Sequence, residues 1–369
     1  NLSSFYYNKA VRGGGIYNAT SNDGKEVNIK DCAFNSNQAE YGGGAYIESG
    51  KVNFKSDSFG YLYITPSNNA TCGGAIYNEG GIVNVVSSVF YCNNAEKGGD
   101  IYNKGTISIS KTDFGGVSKA VYTYDRVIPV YTYTSSQEVT IGGTTQVVRP
   151  IYYEPVSWVA VKLALSSSAT QGGAIYNEGT ITNITSSNFI DVHALEGGAI
   201  YNDTDGIITK IISSKFNGNY AYYETSDEDE EETPTPKGGA IYNKGTISEV
   251  TKSNFVSNYA ENGLGGAIYN ADGTLNFNNS KFNGNYATSG GAIYVAGGSV
   301  TDTKSTFQNN YAESGGAVYI DEGGTATFDS SIFILNDAYK TVEISDEGTV
   351  VSTQDVLTDG GAVYNKGEL

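Results

Sequence analysis

The sequence predicts an all-β chain wound into a right-handed parallel β-helix of about eleven coils of roughly 25 residues, with hairpin insertions at one corner. Three observations carry this. The motif Gly-Gly-Ala-Ile-Tyr-Asn recurs along the chain, a Phe recurs at a fixed distance behind it, and Gly, Asn, Asp and Ser punctuate the short β-prone runs between them.

The first Gly of the motif stands at Gly13, Gly42, Gly73, Gly98, Gly172, Gly197, Gly238, Gly265, Gly290, Gly315 and Gly360. The basic step is 25 residues and the larger steps are insertions. Internal repetition on this scale indicates stacked supersecondary units, so the length of 369 residues is not read as two or three globular domains. The second landmark is Phe5, Phe34, Phe59, Phe90, Phe114, Phe189, Phe216, Phe255, Phe282, Phe307 and Phe333, usually opening Phe-x-x-Asn, as in Phe282 with Asn285. Phe59, Phe114 and Phe189 lack that Asn, and reshaped corners are expected there. From the Gly pair to the Phe the distance is most often 17 residues, and from the Phe to the next Gly pair it is 8 when uninterrupted. The large insertions therefore all enter between the Phe and the following Gly pair.

Each coil offers three runs with β character: Ala-Ile-Tyr-Asn, a second such as Thr180 to Ile184, and a third ending near the Phe. Stacked at about 4.8 Å per rung, eleven such coils would make a rod on the order of 50 Å long. Alternate strand residues point to opposite faces. The Ile column accepts only apolar residues, and the Asn column two places on becomes Ile47, Val295 and Ile320, so both are expected to face the core. The intervening Tyr column, with the Ala column that tolerates Asp100, is then expected to face outward. Tyr176, Tyr201, Tyr242, Tyr269 and Tyr294 belong to this expected surface ladder, either stacking to stiffen the sheet or forming a docking face.

The net charge of −18, from 22 basic and 40 acidic residues, argues against nucleic acid and anionic lipid as partners. No apolar run is long enough to span a membrane, and no signal peptide opens the chain, which begins at Asn1 within a repeat and reads as processed or excerpted. Of the three cysteines, Cys72 and Cys92 fall near one corner of neighbouring coils and are candidates for a disulfide, leaving Cys32 over.

The paired motifs, as in Gly172-Gly173-Ala174-Ile175 and Phe255-Val256-Ser257-Asn258, resemble the repeats of the chlamydial polymorphic outer membrane proteins and related adhesin-like proteins. The resemblance covers nearly the whole chain outside the insertions. It implies a β-helical, surface-exposed, extracellular protein with an adhesive or coat function. The autotransporter members of that family end in an outer-membrane β-barrel, and nothing after Gly360 resembles one.

One domain, 1–369, is expected to carry three insertions. Residues 115–171 contain alternating runs, among them Val139 to Ile141 and Thr145 to Val148 across Gly142-Gly143, and read as a β-hairpin or small sheet. Its aromatic residues Tyr131, Tyr133, Tyr152, Tyr153 and Trp158 are binding candidates, unless they only form a mini-core over the coil edge. Residues 222–237 hold an acidic run read as a solvated loop, in which Asp227, Asp229 and Glu231 would bind calcium weakly at best. Residues 337–359 read as a second hairpin. Among several Asn-x-Ser/Thr triplets, including those at Asn18, Asn183 and Asn202, only Asn69 is placed to accept a glycan.

No catalytic residue, resident metal or cofactor is expected. A polysaccharide hydrolase or lyase shares this fold class but needs flanking carboxylates or a base with cations, and the single His193 and the three Arg residues fall outside any such cluster. An extracellular structural or adhesive role is the expectation, with a carbohydrate-binding or polysaccharide-degrading protein as the alternative. Partners are expected to be glycans or neighbouring surface proteins. The chain opens on the Phe-x-x-Asn part of a coil and closes on a Gly-Gly-Ala-Val-Tyr-Asn part, so head-to-tail stacking into a filament is also expected.

Overall fold

The computed structural model describes residues 3–20, 25–60, 67–115, 137–141, 144–148, 168–223, 234–346 and 349–369. The chain divides into a unit of Asn1–Val117 with Leu165–Leu369 and a unit of Ser118–Ala164. The first is a parallel β-solenoid. Within the second, Gln137–Ile141 pairs antiparallel with Thr144–Val148. The binding candidates Tyr131, Tyr133, Tyr152, Tyr153 and Trp158, and the acidic candidates Asp227, Asp229 and Glu231, lie outside the described residues. Among the described residues no helix is long and apolar enough to cross a membrane.

Each rung contributes one strand to each of several stacks. The Phe strands form an eleven-stranded sheet from Ser4–Tyr6 to Ile332–Ile334, with Phe5 opposite Phe34 and Phe307 opposite Phe333. The eleven Phe rings stack at 4.7–4.8 Å along the axis. The Ile-Tyr-Asn strands stack in the same register, as Ile175–Asn177 does on Ile200–Asn202. The second runs, such as Thr246–Thr251, form a third stack. Ile293–Thr303 and Val318–Asp329 run through both of these stacks and join them into one sheet. At the remaining corner Ser168–Gln171, His193–Glu196, Tyr220–Ala221 and Tyr259–Ala260 pair in a short parallel sheet. The hairpin Asp337–Asp346 with Thr349–Leu357 leaves from that corner.

Chain geometry dictates the Gly pair. Gly238 has φ +67, a left-handed conformation that most side chains resist, and a Cβ on Gly239 would lie 2.1 Å from the Gly266 carbonyl oxygen of the next rung. The first Gly turns the chain and the second lets neighbouring rungs touch backbone to backbone.

The core is made of the Phe, Ile and second-run columns, with Phe282, Ile293 and Val250 wholly buried. The Asn column faces inward as expected, and its amides bond along the axis. Asn78, Asn103, Asn177, Asn202 and Asn243 each donate Nδ2 to the Oδ1 of the next, ending on Asn270, at 2.8–2.9 Å. Such a chain satisfies polar groups that would otherwise be costly inside the solenoid. A second amide ladder runs through the Asn of Phe-x-x-Asn, from Asn219 through Asn258, Asn285 and Asn310 to Asn336. All five amides also donate to the carbonyl of a Phe one rung back, as Asn285 does to Phe255 at 3.1 Å and Asn336 to Phe307 at 2.9 Å. After Phe59 the chain rejoins the column at Asn68, and where Phe114 lacks its Asn, Asn93 donates to Asp100 at 2.8 Å instead.

Two orientation expectations are corrected. The Ala column points into the core: Ala75, Ala174, Ala240 and even Asp100 are fully buried. The strand begins only at the Ile, so the Ala lies in the turn and escapes the alternation; at Gly44, in the same column, a Cβ would meet the Phe59 ring at 3.1 Å. The Tyr column is also covered. Tyr176, Tyr201, Tyr242, Tyr269 and Tyr294 are 2, 1, 5, 9 and 7% exposed. They point away from the Phe core but into a second apolar cluster, closed by Tyr41, Cys72 and Leu264 before the Gly pair and by Ala271 and Ala296 two residues after a Tyr of the column. A strand of three residues between two tight corners leaves its outer side chain in a trough that those corners fold over.

Candidate functional site

In a solenoid of near-identical rungs, distinctive chemistry arises where a column changes character. The Tyr column, covered from Tyr46 to Tyr319, does not change. Its rings stack at 4.7–5.4 Å from Tyr17 to Tyr364. Lysine ammonium groups lie over the rings, Lys97 at 4.7 Å from the Tyr176 centroid and Lys244 at 5.4 Å from that of Tyr201. The phenols are spoken for as well. Tyr102 donates to Glu178 at 2.6 Å, Tyr294 to Asp321 at 2.8 Å, and Tyr176 to Asp203. Burial first, then these carboxylates, hold the Tyr102, Tyr176 and Tyr294 hydroxyls well above the usual phenol range, so they stay protonated and serve neither as base nor as nucleophile.

Cys72 and Cys92 are equally inert. No two of the three cysteines are joined by a disulfide. Cys72 packs against the Tyr cluster, while Cys92 sits in the left-handed turn after Phe90, so the two belong to different corners. Burial pushes the Cys92 thiol up to about 11 and raises that of Cys72, leaving little thiolate near neutral pH. Among the described residues no three His, Cys, Asp or Glu side chains are grouped to hold a metal ion.

The column that does change lies one place beyond the Asn of Phe-x-x-Asn. There Tyr220, Tyr259, Tyr286 and Tyr311 stand half-buried, each followed by a buried Ala: Ala221, Ala260, Ala287 and Ala312. His193 stacks on Tyr220 with centroids 4.9 Å apart, Tyr220 on Tyr259 at 5.0 Å, and Tyr286 on Tyr311 at 4.5 Å. An outward aromatic stripe therefore exists, but on the corner sheet and not on the Ile-Tyr-Asn strand. The signal for it was the triplet Asn-Tyr-Ala at Asn219, Asn258, Asn285 and Asn310.

Toward the N-terminus the described part of the stripe begins at His193, which is itself buried. The same position carries Ser168 on the adjoining rung and the exposed Asn94 and Asn69 in earlier coils. A concave groove of about 560 Å³ opens there, floored by Ala70, Ala95, Ala169 and Ala194 and walled by His193, Tyr222 and Tyr223. Its polar lining is Asn69, Thr71, Asn94, Glu96 and Thr170, and Glu96 is the one carboxylate among the described lining residues. Asn69, the favoured glycan acceptor, is exposed, whereas Asn18 and Asn202 are buried and donate to Ser49 and Asn243.

Neither the curated proteins nor the solved structures gave a match to this chain. A family match lies on the rungs themselves: residues 213–244, 279–296 and 304–321 match the Chlamydia polymorphic membrane protein (Chlamydia_PMP) repeat. These stretches take in Phe216 with Asn219, Phe282 with Asn285, Phe307 with Asn310, and the Gly pairs that begin at Gly238, Gly290 and Gly315, so the matched stretches contain both landmarks of the coil.

Proposed function

We propose that this chain is a cell-surface, adhesin-like repeat protein whose work is structural and adhesive, without catalysis or a resident cofactor. The observation that carries the reading is the polymorphic membrane protein repeat on a solenoid whose Phe, Ile and Tyr strands stack in register among the described rungs. A rigid rod built this way presents the same side chains at regular intervals, which suits display toward a partner surface. Support for a binding face comes from the half-buried stripe of Tyr220, Tyr259, Tyr286 and Tyr311, since amphipathic rings are favoured at interfaces. The test is labelling of intact native cells with a membrane-impermeant amine reagent. Labelling of the chain before lysis is expected, and labelling only after lysis would remove the surface role.

Head-to-tail assembly is the finer reading. Its support is that each rung offers the next the same Phe, Ile, Tyr and Asn columns in register, so an edge strand of one copy matches that of another. Fibres in electron micrographs of the purified chain are expected, and monomers alone at high concentration would exclude it. The alternative of a polysaccharide-degrading enzyme gains nothing from the groove: hydrolysis needs two carboxylates about 5 to 9.5 Å apart, and the described lining supplies Glu96 alone.

A further inference from the structure

We propose that the corner between the second run and the Phe strand binds a linear polyuronate along the solenoid axis, its carboxylates seated on Lys215, Lys252, Lys281 and Lys304. The proposal goes beyond surface display and does not depend on it.

The corner is built from two outward columns. One is the left-handed turn that follows the second run, with Ser213, Lys252, Asn279 and Lys304 on successive rungs at φ values of +50 to +64. Backbone bonds keep these turns in step: Ser213 N–H donates to the Thr251 carbonyl, that of Lys252 to Asn278 and that of Asn279 to Thr303. The other column opens the Phe strand, where Lys215, Asn254, Lys281 and Thr306 stand in register. Ser214, Ser253, Ser280 and Ser305 lie buried between the two. Lysine alternates between the columns, so each of these successive rungs presents one, and the charges climb the axis in a zigzag at about 4.8 Å per rung.

All four lysines are exposed. Lys97, Lys104, Lys237, Lys244 and Lys366 lie over tyrosine rings and Lys210 pairs with Glu249, but these four meet neither a ring nor a carboxylate among the described residues. In a chain with 40 acidic residues, no place in the two columns over these rungs is acidic. Insertions enter on the far side of the Phe strand, after Phe-x-x-Asn, and leave the corner continuous.

The form of the ridge names its ligand. A single file of cations on an otherwise acidic rod fits an anion of the same linear form, because a broad anionic surface would also face the acidic remainder. A polyuronate carries one carboxylate on every sugar ring, and a sugar residue is about as long as one rung is high. Asn254, Asn279 and Thr306 fill the alternate places, and amides and hydroxyls both donate to and accept from sugar hydroxyls. A nucleic acid strand asks instead for rings on which bases stack, and these columns hold none.

The test is titration of the full chain at low salt with fluorescent hexagalacturonate and hexamannuronate, the methyl ester of each, and an oligothymidylate of equal charge. At least one hexauronate is expected to bind saturably and to weaken as salt rises, with its neutral ester and the oligothymidylate at least tenfold weaker. Lys252→Gln should weaken binding roughly threefold, and replacement of all four lysines by Gln at least thirtyfold. Replacement of all four by Arg should retain binding, and Lys9→Gln with Lys51→Gln, which removes charge elsewhere on the rod, should leave it within about twofold. Silence from both hexauronates, binding that survives loss of the four lysines, or an ester or oligothymidylate that binds as tightly as the acid overturns the proposal.

Discussion

Truncating Tyr242 to Ala and, separately, Tyr286 to Ala tests which aromatic column is interior. Tyr242 is 5% exposed, stacked on Tyr201 at 4.7 Å and on Tyr269 at 5.1 Å. Removing a buried aromatic side chain costs about 3–5 kcal/mol, and two ring pairs contribute about 0.5–1.5 kcal/mol each to that loss. Tyr286 is half-buried and stacks closely on Tyr311 alone, at 4.5 Å. With roughly half the burial and one ring pair, its loss should be about 1–2 kcal/mol. Because rungs interact mainly with their neighbours, global melting can mask a local defect. The assay is therefore urea unfolding together with amide hydrogen exchange resolved to the rungs of Tyr201, Tyr242 and Tyr269. Tyr242→Ala should accelerate exchange in those rungs and lower the midpoint clearly more than Tyr286→Ala. Equal losses, or a Tyr242 variant within about 0.5 kcal/mol of the parent, would show that the Ile-Tyr-Asn tyrosines face water after all.

The remaining predictions concern the polar columns. Burial pushes the Asp57 carboxyl from its ordinary 3.8 up to about 6, although it accepts N–H bonds from Cys32 at 2.7 Å and Lys55 at 2.8 Å. Between those two values the folded chain keeps a proton that the unfolded chain has released. Its contribution therefore falls as pH rises through that window, by up to about 3 kcal/mol, and stays lost above it. Asp57→Ser, which restores the hydroxyl that Ser187, Ser214, Ser253 and Ser280 supply in the same column, should flatten that slope and stabilise the chain at pH 7 by about 1–3 kcal/mol. Identical stability profiles of the two proteins from pH 4 to 7 would refute this. Asn243→Val removes the bond from Asn202 at 2.9 Å and that to Asn270 at 2.8 Å, so urea unfolding should show a loss of about 3 kcal/mol; a loss below about 1 kcal/mol would mean that the ladder is dispensable.

The sequence by itself determined the solenoid, its register and most of its core. A repeat that returns Ile, Asn and Phe at equal spacing can bury them only by stacking copies, so Phe255 had to meet Phe282 and Asn243 had to meet Asn270. The alternation rule placed Ile and Asn inside correctly, because both lie within the strand. It failed for Ala, which stands in the turn where the rule does not hold, and for Tyr, where pointing away from the core was equated with facing water. Only the tertiary structure decided that the corners on either side of a three-residue strand roof over Tyr176 and Tyr201. Only it decided that the outward aromatic stripe belongs to the corner after Phe-x-x-Asn. The physical reason is that strand periodicity fixes the direction of a side chain, whereas its burial depends on what neighbouring corners place above it, and insertions set where a column begins and ends.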